Sequence, residues 1–141
     1  MQTIKGENYI VRYDDEKGIL YGIYNSVASG DITARIYMSS LKFVRTVGID
    51  NIQGMIFDMR RVEEFSRDNL ASIQRENFNM DRKFNMNFVP TALVVDTAIQ
   101  EQFARMTIGV SNGQERKCIV YSLAEAHMFF EEWHSENSAQ A

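Results

Sequence analysis

The sequence predicts an α/β fold: a mixed β-sheet that begins with an N-terminal hairpin and continues with alternating helices and strands, in the order β-β-α-β-α-β-α-β-α. Near the N-terminus apolar residues alternate with polar ones, later segments are continuously apolar, and the segments between them carry apolar residues at steps of three and four. These patterns are typical of half-buried strands, of strands covered on both faces and of amphipathic helices, respectively. Helices between buried strands imply a sheet with a parallel portion.

The N-terminal hairpin is predicted from strands over residues 9–13 and Ile19–Tyr24, joined by an acidic turn. A helix follows. Ser29 or Asp31 can cap its start, and Gly48 can end it. Its apolar stripe consists of Ala34, Tyr37, Leu41 and Val44.

A central, mainly apolar strand leads through a charged bend into a second helix, predicted over residues 66–80 with Ser66 as its N-cap. A serine hydroxyl at this position accepts from the free N–H groups of the first turn. Asp68 then occupies the second helical position, where the helix dipole favours a carboxylate. The next strand is predicted over residues 88–95, with Pro90 near its start, where proline is tolerated.

The third helix is predicted to be capped by Asp96 or Thr97 and to end at residues 111–113. A strand over residues 118–121 then leads directly into the last helix, where Ser122 stands three residues before a glutamate, the spacing of a capping box. The apolar stripe of the third helix, which we expect to face the core, consists of Ile99, Phe103, Met106 and Val110.

Length and composition indicate one globular domain over residues 1–141, with a core at about 9–134 and a polar tail, 135–141, that is expected to fray. The net charge of -4 and pI near 5.2 disfavour binding to nucleic acids or anionic membranes. No apolar run approaches the roughly 20 residues of a membrane span, and the N-terminus has no apolar signal core. A cytoplasmic location is therefore expected.

Recognisable catalytic and metal-binding motifs do not occur in the sequence. It has no HExxH, Cys-x-x-Cys, calcium-loop, Gly-x-Ser-x-Gly, phosphate-loop or dinucleotide motif. His127 and His134 are separated by about 10.5 Å if they lie on one helix, which is too far for a single metal ion. Cys118, the single cysteine, is expected to be a buried structural residue. We therefore expect no enzymatic activity, no metal and no cofactor.

The charged bend and the helix start after the central strand form the first candidate site. Free N–H groups at a helix N-terminus and nearby arginines can together hold an anion or an acidic partner. The alternative is a capped helix beside solvated charges. Asp68 itself counts against anion binding because it already places negative charge at the helix start. The candidate residues are Arg60, Arg61, Ser66, Arg67, Asp68 and Asn69.

Asp58 is a lone carboxylate in the otherwise apolar central strand. A buried carboxylate needs a partner, which Arg60 or a backbone N–H can supply. We expect a structural ion pair or an edge position here, because strongly perturbed carboxylates also occur in purely structural networks.

An apolar ligand pocket is the second candidate site. The chain has eight methionines, whose side chains adapt readily to varied ligands. The alternative is that these residues and the aromatic ones simply fill the core. The pocket candidates, on the third helix and the polar segment before the strand at residues 88–95, are Phe84, Phe88, Phe103 and Met106.

Three segments, IFDMRRVEEF, LVVDTAIQEQFARM and VYSLAEAHMFFEEW, together with the order of elements, resemble the SpoIIAA-like family over roughly residues 9–133. The resemblance implies the fold called STAS, shared by sulfate transporter domains and anti-sigma factor antagonists and similar in layout to Sec14-type lipid-binding domains. Antagonists of this kind carry an Asp-Ser-Ser-Gly run with a phosphorylated serine. The matching positions here are residues 66–69, and Asp68 stands at the phosphoacceptor position, so the resemblance does not carry over the phosphorylation switch.

The function implied by the resemblance is that of a non-enzymatic regulatory protein-interaction domain, with a protein partner such as an anti-sigma-like regulator. The alternative is a small-molecule or lipid-binding domain with an apolar pocket and a small apolar or anionic ligand. An exposed sheet edge could equally mediate a homodimer.

Overall fold

The computed structural model describes residues 1–138 and contains a six-stranded mixed sheet with four helices. The strands of this sheet, in spatial order, are β1 (Gln2–Gly6), β2 (Tyr9–Asp14), β3 (Ile19–Tyr24), β5 (Gly54–Asp58), β7 (Thr91–Val94) and β8 (Lys117–Val120). A separate parallel pair consists of β4 (Ser26–Ala28) and β6 (Val62–Phe65). The helices are α1 (Gly30–Val47), α2 (Asn69–Lys83), α3 (Ala98–Gly109) and α4 (Leu123–Ser138).

The sheet has an antiparallel half and a parallel half, as the sequence predicts. Strands β1, β2 and β3 are antiparallel, whereas β3, β5, β7 and β8 run parallel. The parallel strands are linked by helical crossovers, which bring the carboxyl ends of β5, β7 and β8 to the same edge of the sheet. The predicted mixed sheet with an N-terminal hairpin is therefore confirmed.

Both faces of the parallel half are covered. Met55 and Phe57 of β5 face the larger core, to which α1, α2 and α3 contribute, whereas Ile56 faces a smaller core built with α4. Phe130 of α4 packs in that smaller core beside Val94 of β7. This explains the largely continuous apolar character of these strands, because successive apolar side chains enter one core and then the other.

The helix caps largely follow the sequence. The Ser29 hydroxyl accepts from the Ile32 N–H at 3.2 Å, which decides the choice between Ser29 and Asp31. Gly48 ends α1 at φ 88°, a conformation that favours glycine. Thr97 and Gln100 form a full capping box on α3. At α4, the Ser122 hydroxyl accepts from the Glu125 N–H at 3.1 Å.

Three strands, β1, β4 and β6, were not predicted. Strand β1 lies before the predicted core and pairs along its whole length with β2. Strand β6 lies inside the charged bend, where its two adjacent exposed glutamates interrupt the alternation of apolar and polar residues that predicts a strand. Both β4 and β6 owe their conformation to each other, since backbone pairing between distant segments leaves little trace in local composition.

Two predicted segments differ from the structure in their bounds: helix α2 is Asn69–Lys83 instead of 66–80, and the strand before α3 is shorter. The strand expected over residues 88–95 contains only Thr91–Val94, because Phe88 closes a 3-10 turn and is 66% exposed. Helix α4 continues to Ser138 through the start of the tail that is expected to fray, and the Asn137 amide donates to the Trp133 carbonyl. Residues 139–141 of that predicted tail lie outside the described residues.

Within residues 1–138, none of the helices combines the length and the hydropathy that crossing a lipid bilayer requires.

Candidate functional site

The bend after β5 is organised by an ion pair. Asp58, only 8% exposed, accepts from the backbone N–H and the Nε of Arg60, both at 3.0 Å, and from its Nη2 at 2.9 Å. The predicted pairing of Asp58 with Arg60 is thus confirmed. Because its Nε and Nη2 both donate to the Asp58 carboxylate, the Arg60 side chain is held at the carboxyl end of β5.

Gln100 fastens this bend to α3. Its side chain is buried, and its Nε2 donates to the Arg60 carbonyl at 3.2 Å and to the Val62 carbonyl at 2.9 Å. Its Oε1 accepts from the N–H groups of Asp96 at 2.7 Å and Thr97 at 3.2 Å. One amide therefore satisfies four backbone groups. Gln100 was not predicted as a site residue. The capping-box spacing from Thr97 indicates its contacts at the start of α3, but not its contacts with the bend.

Asp68 joins the starts of α1 and α2. Its Oδ1 accepts from the Gly30 N–H at 3.0 Å and from the Ser66 hydroxyl. These two hydrogen bonds, that from Ser66 first, lower the pKa of Asp68. A Cβ placed on Gly30 would lie 2.7 Å from the Asp68 carboxylate, so the close approach depends on glycine. The Asp68 carboxylate already places a negative charge at the helix start, which disfavours the binding of a second anion there.

The predicted N-cap role of Ser66 is wrong. Helix α2 begins at Asn69 after Asp68, and the Ser66 hydroxyl donates to the Asp68 carboxylate instead of capping. The Ser66 N–H donates to the Ala28 carbonyl at 2.9 Å, which extends the pairing of β4 with β6 by one residue. Ser66 therefore directly follows the last residue of β6, and the helix starts later.

Asn69 is a structural residue. It is 2% exposed, and its Oδ1 accepts from the Thr33 hydroxyl at 2.5 Å. That hydroxyl lies 2.6 Å from the Tyr24 hydroxyl, and burial raises the pKa of Tyr24 to about 12. Of the six candidate residues in this region, only Arg61 and Arg67 are exposed without a side-chain hydrogen bond or ion pair among the described residues.

Helix α3 is rotated relative to the prediction. Ile99 is 63% exposed and Met106 is 42% exposed, although both belong to the apolar stripe that was expected to face the core. Phe103 of the same stripe stacks face to face on Phe65 of β6, with ring centroids 4.0 Å apart. The buried side chains of α3 are Gln100 and Ala104. The helix thus turns a polar and small face inward and an apolar stripe outward.

The four pocket candidates do not meet at one cavity. Phe103 covers Phe65, and Met106 lies on the exposed stripe. Phe84 is half-buried against the larger core, and Phe88 lines an open groove beside Trp133. The 3-10 turn at Met86–Phe88 buries Met86 and turns Phe88 outward, which separates Phe88 from the half-buried Phe84.

A cavity of about 30 Å³ lies instead beneath α2 and the C-terminal end of α3. Four methionines that are at most 6% exposed line its apolar part, namely Met55, Met59, Met80 and Met86. Its polar part is lined by Tyr37, Asn77, Asp81, Ser111, Arg116 and Lys117. The four pocket candidates do not line this cavity, although methionines were expected at an apolar pocket, because its residues converge from separate segments of the chain.

Two cations lie at the polar part of this cavity. Arg116 is 4% exposed; its Nη1 donates to the Val89 carbonyl at 3.1 Å, and its Nη2 lies 3.5 Å from Asp81. The Lys117 ammonium donates to Ser111 Oγ at 2.9 Å and to Asn77 Oδ1 at 3.1 Å. Burial, and then the charge of Arg116, lower the pKa of Lys117 to about 8.

The lowered pKa of Lys117 predicts a pH-dependent stability. Between about pH 8 and the ordinary value of 10.5, the unfolded chain holds a proton on Lys117 that the folded chain has released. Stability therefore rises with pH through this window. We expect the wild type to gain about 1 kcal/mol relative to Lys117→Met between pH 8 and pH 9, measured by urea unfolding. The exposed Lys83→Met variant should instead run parallel to the wild type; a parallel Lys117→Met curve would contradict the prediction.

The two histidines have different hydrogen-bond partners, and the cysteine is half-buried. His127 Nε2 lies 3.3 Å from the Tyr21 hydroxyl, whereas His134 Nε2 donates to the Gln53 carbonyl at 2.6 Å. Burial raises the pKa of the half-buried Cys118 to about 12, which disfavours a reactive thiolate. Across residues 1–138, no three His, Cys, Asp or Glu side chains come together as a metal-binding group.

The order of strands, with an antiparallel N-terminal half and parallel strands connected by helices, defines a SpoIIAA-like fold. Among solved structures, the chain is similar to an uncharacterized protein of the DUF3478 family with a SpoIIAA-like fold from Shewanella loihica PV-4. The TM-score is 0.52 at 13% sequence identity, over 92% of this chain and 90% of that one. No family model and no curated protein matches the sequence. The similarity establishes the fold, and the function has to be argued from the site.

Proposed function

We propose that this chain is a non-enzymatic regulatory domain that binds a protein partner through α3 and the adjoining bend. The observation that carries the proposal is the outward apolar stripe of α3. Ile99 and Met106 are exposed on a helix that buries Gln100 and Ala104. Exposed apolar side chains that follow one helix face are characteristic of interaction surfaces, whereas single ones are ordinary.

The stripe is continuous with the bend. Phe103 stacks on Phe65, the last residue of β6, and Gln100 holds the carbonyls at the other end of the bend. Arg61 and Arg67 flank β6 and are exposed. An apolar centre with arginines at its rim suits a partner that contributes an apolar face with acidic residues around it. The fixed hydrogen bonds of the bend support a preorganised surface, which lowers the entropic cost of association.

Asp68 supports a surface without a phosphorylation switch. The resemblance to anti-sigma factor antagonists aligns Asp68 with their phosphoacceptor, and here the carboxylate is held by Gly30 and Ser66. A carboxylate at this position carries permanent negative charge, so a partner meets one state of the helix start. Regulation would then act through the availability of the partner.

The test compares Met106→Glu with Met128→Glu. Met106 belongs to the stripe, whereas Met128 is 59% exposed on α4, away from the bend. A charge at the centre of an apolar interface costs several kcal/mol, so we expect Met106→Glu, and likewise the double variant Arg61→Glu with Arg67→Glu, to lose a stoichiometric partner. Met128→Glu should retain it. The measurement is affinity capture from the native lysate with quantitative mass spectrometry.

Equal capture by Met106→Glu and Met128→Glu would contradict the proposed surface. Thermal unfolding of each variant verifies that the fold is intact. Light scattering of the purified chain separates a different partner from a second copy, because a dimer that Met106→Glu dissociates would assign the same surface to self-association and contradict a heterologous partner.

A further inference from the structure

The wall of the cavity carries more cations than carboxylates. Arg116 and Lys117 contribute two cations, and Asp81, at 3.5 Å from Arg116, contributes one carboxylate. The Lys117 ammonium contacts only the neutral oxygens of Ser111 and Asn77. Burying a charge without an opposite charge beside it lowers the free energy of unfolding. Among the described residues, no carboxylate lies within salt-bridge distance of the Lys117 ammonium, and Asp81 and Glu115 act on it only from farther away.

Arg116 also has unused hydrogen-bonding capacity. Its Nε is the buried side-chain nitrogen that, within residues 1–138, has no hydrogen-bond partner. The side chain is 4% exposed, its Nη1 is bound to Val89, and it packs against Gly113, where a Cβ would lie 2.7 Å from Nε. Buried polar groups are nearly always satisfied in folded proteins, and an exception indicates a missing partner.

The rest of the cavity wall is apolar and deformable. Met55, Met59, Met80 and Met86 lie beside Phe57 and Leu93, and all six are buried. A volume of about 30 Å³ exceeds the roughly 10–15 Å³ that one water molecule needs, so it accommodates a small polar group as it stands. Unbranched methionine side chains change rotamer easily, which allows a short aliphatic chain to enter next to that group.

We propose that this cavity binds a small aliphatic monocarboxylic acid, with its carboxylate at Arg116 and Lys117 and its hydrocarbon chain among the four methionines. A monoanion matches the charge of Lys117, the lining cation that has no carboxylate within salt-bridge distance among the described residues. A phosphate dianion would exceed it and would lie close to Asp81, at a cost in a buried site. The site is separate from the α3 surface, so either can fail without the other.

The first measurement is binding of acetate, butyrate and octanoate, with inorganic phosphate as the competing anion, at constant ionic strength. We expect saturable binding that tightens by about fourfold per added methylene from acetate to butyrate. Octanoate, which is too long for the cavity, should gain less than this increment predicts. Saturable phosphate binding without a gain along the carboxylate series would overturn the proposal.

The matched variants are Lys117→Met and Lys83→Met. Lys117→Met removes the ammonium but keeps an unbranched side chain, and we expect it to weaken butyrate binding by about tenfold or more. Lys83→Met removes an exposed lysine at the end of α2 and should bind as the wild type does. Equal butyrate binding by both variants would refute the assignment of Lys117.

Methionine methyl NMR provides a readout on the unmodified protein. Butyrate should shift the methyl signals of Met55, Met59, Met80 and Met86, which line the cavity. Met38 and Met128, at 60% and 59% exposed, serve as internal controls and should not move. Shifts confined to the exposed methionines, or no shifts, would overturn the proposal even if the lysine variants fail to fold.

Discussion

We expect Gln100→Leu to lower the free energy of unfolding by about 3 kcal/mol. The substitution removes one buried amide that serves four backbone groups, the carbonyls of Arg60 and Val62 and the N–H groups of Asp96 and Thr97. Each backbone group left unsatisfied in a buried site costs about 1–3 kcal/mol, and water recovers part of this where the bend is exposed. Urea unfolding measures the total effect, and amide hydrogen exchange at Val62 and Thr97 measures where the bend loosens.

The control for Gln100→Leu lies on the same helix. Gln102 is exposed, so Gln102→Leu should change stability by no more than about 0.5 kcal/mol. Gln100→Glu tests the donors separately, because a carboxylate can still accept from Asp96 and Thr97 but cannot donate to the two carbonyls. If Gln100→Glu were as stable as the wild type, the contacts from Nε2 to the bend would have no energetic role.

We expect Gly54→Ala to destabilise the protein by about 2 kcal/mol, within the range for overpacked cores. Gly54 begins the central strand β5, and a Cβ there would lie 2.7 Å from two ring carbons of Phe130. Phe130 is 3% exposed in the smaller core under α4, so its ring has little room to move. Thermal unfolding should show a lower midpoint for this variant.

Two further variants make the Gly54→Ala result specific. Nothing lies within 4 Å of a Cβ built on Gly109 in α3, so Gly109→Ala should stabilise by about 0.5 kcal/mol through helix propensity. Phe130→Leu opens space beside Gly54, and the double variant should therefore be less destabilised than the sum of the two single changes. Additive effects would show that the Gly54 backbone, and not the Phe130 ring, limits the site.

The elements that the sequence analysis identified are those whose burial follows their local pattern. Strand β3 and the caps at Ser29, Thr97 and Ser122 agree with prediction because a period of two, or a serine or threonine before an apolar run, acts within a few residues. Strands β4 and β6 were missed because they are stabilised by each other across 34 or more residues. Their residues have no strong strand pattern of their own.

The candidate site was recognised only in part. The charged bend was located from its composition, and the pairing of Asp58 with Arg60 followed from the cost of a buried carboxylate. Asp68 and Asn69 were candidates for an interaction or anion-binding site. Their hydrogen bonds hold α1 and α2 together, which a linear pattern cannot reveal. The cations of the cavity were not recognised, since Arg116 and Lys117 look like ordinary surface residues before a strand.

The sequence by itself determined the α/β class, the hairpin, the helix count and the SpoIIAA-like resemblance, because periodicity and capping are local consequences of side-chain chemistry. Tertiary structure alone decided which face of α3 is buried. Gln100 has backbone groups to satisfy at the bend, and this requirement turns the helix so that Ile99 and Met106 face outward. Tertiary structure likewise placed Arg116 and Lys117 at a cavity, because burial depends on segments distant in the chain.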